Sequence, residues 1–222
     1  MDQVPFGIEV IGLLGLYGLV FLSIELLQAK HPIDSELARK STHIIGGCLA
    51  ASLPIFLERW QIVGLGVVMA LAMGLSKRWN FFRSIHHVNR KGHGEIWFPL
   101  GVALLAIIEP TNDLRFISGV LVLGISDALA SVIGIRYGRR KYFLVNRHWK
   151  TYLGSSVFFI STFVILASVF GTLAGAVFAE QAITYAAISL VLTTVEAGSH
   201  SGIDNGIIPA ATALLLRLAK LS

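Results

Sequence analysis

Apolar residues run along this chain in long, nearly unbroken stretches, not in the alternation of a half-buried strand. Measured against the ~20 residues that a helix needs to cross a bilayer, about eight stretches qualify as candidate spans. They lie near residues 5–27, 41–58, 61–76, 96–110, 115–135, 154–172, 176–196 and 206–221. The third, fourth and eighth are short, so one or two are expected to be half-inserted or strongly tilted, leaving roughly seven to eight spans. The first stretch begins at Val4 or Pro5 with no basic leader and no small-residue cleavage site, which predicts a retained helix. The pattern predicts an all-α, polytopic transmembrane bundle, one integral membrane domain over 1–222 with no room for a soluble domain.

Composition agrees: of 222 residues, 55% are hydrophobic and only 14% charged, and the mean hydropathy is +0.72. That is too little charge to coat a soluble domain of this size. The lone Cys48 sits in an apolar stretch and can form no intramolecular disulfide, so nothing points to an oxidising compartment. The net charge of +5 would suggest nucleic acid in a soluble chain; here it is first a topology signal and second a potential anion site.

The cations alternate. Lys30, Arg39 and Lys40 lie in the first connection, and Lys77, Arg78, Arg83, Arg90 and Lys91 in the third. Arg136, Arg139, Arg140, Lys141, Arg147 and Lys150 lie in the fifth, whereas the intervening connections hold only Arg59 and Arg115. The positive-inside rule then puts the N-terminus outside and the 197–205 connection in the cytoplasm, the membrane being a bacterial inner membrane. Arg217 and Lys220 fall outside and break the pattern. In this orientation every unusual polar residue faces the cytoplasm, so the machinery must consist of helix ends and cytoplasmic loops.

The stretch Gly124-Ile-Ser-Asp127-Ala-Leu-Ala-Ser131-Val-Ile-Gly134 is the most informative. An acid inside an apolar span is expensive and marks function by default. Ser131 and Gly134 follow on the same helix face, where small residues allow close approach by a helix or ligand. Then come Gly138 and the cations Arg139, Arg140 and Lys141, suited to phosphates. Next, Lys150-Thr151-Tyr152-Leu153-Gly154-Ser155 opens a helix, where backbone N–H groups and hydroxyls bind phosphate and Lys adds a point charge.

Glu196 precedes a glycine-rich turn ending in Asp204-Asn205-Gly206, whose oxygen donors suit Mg²⁺; by itself such a turn is ordinary loop chemistry. Arg39, Lys40 and His43 share a helix face and fit either a phosphate clamp or a topology anchor. Glu95 enters the membrane beside Trp97 and Phe98 and is a substrate-side candidate. A zinc site at His86, His87 and His93 is rejected, since the spacing is irregular and no Cys assists.

Taken together, D-A-x-A-S-x-x-G-x-x-Y-G, K-T-x-x-G-S and E…G-x-D-N-x-x-x-P, with R-K-x-x-H upstream, resemble the membrane lipid-alcohol kinases: phytol kinase, dolichol kinase and CTP-dependent diacylglycerol kinase. The resemblance covers nearly the whole chain. It implies transfer of the γ-phosphoryl group of CTP to the hydroxyl of a membrane lipid. Asp127 and Asp204 with Asn205 would hold Mg²⁺ and the nucleotide. Lys150 and the Arg139–Lys141 cluster would neutralise phosphate charge, and Glu196 or Asp204 would take the hydroxyl proton. Arg39, Lys40 and His43 would close the phosphate side. The chain departs from the family at Ser126, where relatives have Gly, and at Leu153, where they commonly have an acid. Two alternatives remain: a phosphatidate cytidylyltransferase, disfavoured by the absence of Ser-x-x-Pro before Lys150, and a transporter relaying ions through Asp127 and Glu196.

Overall fold

The computed structural model describes residues 35–79, 93–110, 114–142, 149–173, 178–199 and 202–221, with scattered positions between 12 and 30. Most of the expected first span, His86, His87, Arg83, Arg90, Lys91 and Arg147 lie outside these residues.

The described residues are almost wholly helical. Helix α1 (Ser35–Ser52) ends in a short 3-10 turn, Leu53–Ile55, and is followed by α2 (Arg59–Arg78) and α3 (Gly94–Ile108). Helices α4 (Leu114–Leu121) and α5 (Asp127–Tyr137) are joined end to end by a π turn, Val122–Ser126. Strands β1 (Lys141–Tyr142) and β2 (Lys150–Thr151) pair antiparallel, Lys141 opposite Thr151. Helices α6 (Tyr152–Leu173), α7 (Phe178–Gly198) and α8 (Asp204–Leu218) complete the bundle.

Helices thus underlie every apolar stretch from residue 41 onward. Among the described residues, three segments are long and apolar enough to cross a membrane: Arg59–Ser76, Leu114–Tyr137 and Tyr152–Thr172. Gly94–Ile108 is apolar but shorter. The outward faces agree, with Val68 and Leu71 on α2, Ile160 and Val164 on α6, and Ile183 and Leu190 on α7 all exposed. Apolar area on that scale is costly in water and expected against lipid.

Two apolar clusters hold the bundle. One gathers Phe158, Leu166, Phe170, Tyr185 and Leu192 with Ile208 and Leu216, tying α6, α7 and α8 together. The other joins Leu53, Ile62, Leu65, Val102, Leu105 and Phe116, between α1, α2, α3 and α4. Where α1 crosses the π turn, Gly47 and Gly124 meet backbone to backbone. A Cβ on Gly47 would lie 2.6 Å from the Gly124 Cα. Both positions therefore need the hydrogen side chain of glycine for the two helices to come this close.

Three cations on the sparsely charged side, Arg59, Arg115 and Arg217, have partners. Arg59 caps the end of α3, donating to the Ala106 carbonyl at 2.6 Å and the Ile107 carbonyl at 2.5 Å. Arg217 donates to the Ile108 carbonyl at 3.0 Å and pairs with the buried Glu109 at 2.7 Å, while Arg115 lies 3.5 Å from the same carboxylate. Basic groups at a helix C-terminus meet the unpaired carbonyls and the negative end of the helix dipole. Arg217, which breaks the charge alternation in the sequence, thus belongs to a clasp with an acid at its centre.

Candidate active site

At the opposite end of the bundle, about two turns of α1 carry Glu36, Arg39, Lys40 and His43, with Glu36, Lys40 and His43 meeting Ser131 and Asp127 of α5. Asp127 starts α5 directly after the π turn, which adds a residue to one helical turn and so resets the face on which the following side chains fall. Lys40 Nζ donates to Asp127 Oδ2 at 2.5 Å, and both side chains are buried. A buried carboxylate is tolerable only when paired in this way. His43 Nε2 stands 3.6 Å from the same oxygen, beyond hydrogen-bonding distance, and has no partner. The imidazole packs edge-on against Phe98, ring centroids 4.4 Å apart.

A second, partly buried pair lies beside the first: Lys150, from β2, hydrogen-bonds Glu196 near the end of α7. Burial works against the Lys150 charge, but Glu196, and then Asp204 and Asp127, outweigh it and hold the ammonium pKa above its ordinary value. Asp204 opens α8. Burial first, and the Asp127 carboxylate second, push its carboxyl above the usual range, which Lys150 and Lys40 only partly offset. Three carboxylates and two lysines from five separate elements therefore feel one another's charge.

The other residues singled out in the sequence divide into two groups. Arg39 chelates Glu36 through Nε at 3.1 Å and Nη2 at 2.7 Å, and Ser131 donates to Glu36 at 3.0 Å. Burial opposes ionisation of Glu36, yet Arg39 overcomes it and keeps the carboxyl below its ordinary pKa. Glu95 faces Arg39 across the mouth of a cavity. Asn205 is buried and donates to the Gly94 carbonyl at 2.9 Å, fastening the start of α8 to the start of α3.

Thr151 accepts from the Gly154 amide at 3.0 Å, capping α6, and Ser155 hydrogen-bonds Tyr142. A Cβ on Gly134 would lie 3.1 Å from the Gly154 Cα, so these two glycines form a close crossing of α5 and α6. Arg139, Arg140 and Lys141 are exposed, on and before β1. The structure does not gather them with Asp127.

Glu36 is the residue that sequence reading passed over, although its spacing of three before Arg39 is an ordinary helical ion-pair signal. The departures from the kinase pattern also find places. Ser126 is fully buried and accepts from Thr162 of α6 at 3.1 Å, and Leu153 is exposed on the outer face of α6.

A phytol kinase of Synechocystis is 29% identical over 212 residues, which cover 92% of this chain and 89% of the relative. The resemblance to a lipid-alcohol kinase thus spans most of the chain. An uncharacterised protein of Methanocaldococcus jannaschii is likewise 29% identical over 147 residues, 62% of this chain and 74% of the relative. No family model matches the chain, and no solved structure matches it significantly.

Proposed function

We propose that this chain is a kinase that transfers the γ-phosphoryl group of a nucleoside triphosphate to the hydroxyl of a membrane lipid alcohol. Similarity to a phytol kinase supports the alcohol acceptor. The observation that carries the proposal is the largely buried cluster of Lys40, Asp127, Lys150, Glu196 and Asp204 at one end of the bundle. Phosphoryl transfer asks chiefly for positioning and charge neutralisation, and this cluster offers both. CTP as donor follows from the resemblance. The charge alternation supports a cytoplasmic site, an external N-terminus and an inner-membrane location.

The residues fit Mg²⁺. Asp127 and Asp204 are near enough for the charge of one to disfavour ionisation of the other, a repulsion that a cation between them would relieve. Among the described residues no group of three or more His, Cys, Asp or Glu gathers to hold a metal. Mg²⁺ here would be held by one or two carboxylates, its shell completed by substrate phosphates and water. When bound, Mg²⁺ supplies neutralisation of the β- and γ-phosphate charge. Lys40 and Lys150 add positive charge on either side, Arg39 and the exposed Arg139–Lys141 cluster draw the anion in, and Asp204 or Glu196 takes the hydroxyl proton.

The test is a label-transfer assay on purified protein with mixed lipid alcohols, comparing γ-labelled CTP, γ-labelled ATP and α-labelled CTP. Label in lipid from a γ-phosphate is expected, with loss of transfer in excess chelator. Label only from the α-position would mean nucleotidyl transfer. No transfer from any donor would move Asp127 and Glu196 to an ion-relay role.

A further inference from the structure

Between α1, α2 and α3 lies a cavity with about 820 Å³ of empty space, its open part included. Its walls are almost entirely apolar, among them Ala50, Leu53, Ile62, Leu65, Met69 and Val102. Its polar lining is confined to one end, where Arg39, His43 and Glu95 meet. From Arg39 to Ala50 the axis of α1 rises about 16 Å at roughly 1.5 Å per residue, so the space is a slot running lengthwise through the bundle. Glycine and methionine shape it: Gly46 leaves room, Gly66 lets α2 pack tightly against α3 at Pro99 and Ala103, and Met69 and Met73 are flexible enough to repack around an irregular chain.

The head of this slot adjoins the charged cluster. His43 lines the cavity, its Nε2 is buried without a partner, and that atom is 3.6 Å from the Asp127 carboxylate. A buried polar nitrogen left unpaired is costly unless a ligand completes it. An occupant must therefore be apolar along most of its length, carry a hydrogen-bonding group at one tip, and place that tip beside Asp127.

We propose that the slot holds the hydrocarbon chain of the acceptor, a single-chain lipid alcohol, with the terminal hydroxyl donating to His43 Nε2. The assignment rests on the kinase reading and narrows it: a single chain fits lengthwise between three helices, whereas a glycerolipid carries two. His43 acts as a positioning residue. Arg39, bound to Glu36, and Glu95 form the polar rim through which the hydroxyl end reaches the phosphate donor.

Gly46 provides the test, because a Cβ there would meet only the Phe98 ring edge at 4.0 Å. A larger side chain at this position enters the slot without displacing backbone. Purified full-length protein in detergent would be labelled with a long-chain primary alcohol bearing a diazirine in its tail, and the crosslinks mapped by peptide mass spectrometry. Crosslinks to Leu65, Met69, Met73 or Val102 are expected, competed by excess unmodified single-chain alcohol and poorly by diacylglycerol. Gly46→Leu should reduce them, and should raise KM for a long-chain alcohol about tenfold or more without changing KM for the nucleotide.

Crosslinks confined to other helices, absence of crosslinks in the wild-type protein, or equal competition by diacylglycerol would overturn the slot. The mapping needs no turnover and no variant. A labelled slot in a protein that transfers no phosphate would therefore retain the binding site while rejecting the kinase, and transfer with crosslinks elsewhere would do the reverse.

Discussion

Asp127 is the residue on which the cluster turns, because Lys40 is buried against it and His43 faces it. Asp127→Asn keeps the shape but removes the charge that balances Lys40. Turnover is expected to fall by roughly 10²–10³, the scale for losing one preorganised electrostatic group. Thermal unfolding in detergent should also come earlier, since leaving one member of a buried pair alone costs about 3–5 kcal/mol. Wild-type kcat in Asp127→Asn would remove it from the site. The Lys150–Glu196 pair gives a pH signature. Its ammonium pKa is raised in the folded protein, so the stabilisation is complete below the unfolded lysine value of about 10.4 and is lost as pH rises through the higher folded value. The Tm difference between wild type and Lys150→Met should hold steady through neutral and mildly alkaline pH and shrink only beyond that. A difference that vanishes near neutrality would contradict the pairing.

Between elements, the contact of Gly47 with Gly124 sets how closely α1 approaches the π turn, and so whether Lys40 reaches Asp127. Gly47→Ala is expected to cost about 1–3 kcal/mol by overpacking and to lower activity with it. Gly64→Ala is the control: nothing lies within 4 Å of a Cβ there, so relief of backbone entropy in a helix should make it neutral or stabilising by about 0.5–1 kcal/mol. Equal behaviour of the two variants would show that the crossing is not tight. This contact also marks the limit of what sequence can say. Long apolar stretches located the helices, because transfer into lipid acts on each stretch separately. The rarity of acids in such stretches likewise singled out Asp127. Nothing local distinguishes Gly47, which touches Gly124, from Gly64, which touches nothing. Nor does the order of residues say that Asn205 fastens α8 to Gly94, that Gly134 and Gly154 press two helices together, or that Arg139–Lys141 stay at the surface. Those follow from packing between distant segments.

Across the whole molecule, charge is concentrated at two ends with apolar packing between. The Glu109 clasp is remote from Asp127 and joins α3 to α8 through Arg217. Glu109→Gln should lower thermal stability on the scale of a broken buried pair, about 3–5 kcal/mol, while KM for both substrates stays near wild type. A change in KM at full stability would mean that the two ends communicate.

The clasp also bears on how the chain is made. Glu109 emerges from the ribosome long before Arg217, its shortest-range partner, which arrives only with α8. Until then a carboxylate destined for burial lacks its full complement. With α8 absent or misplaced, Glu109 would keep only the longer contact to Arg115 and lose its shortest ion pair. One salt bridge at the far end from the chemistry thereby makes an early helix depend on a late one.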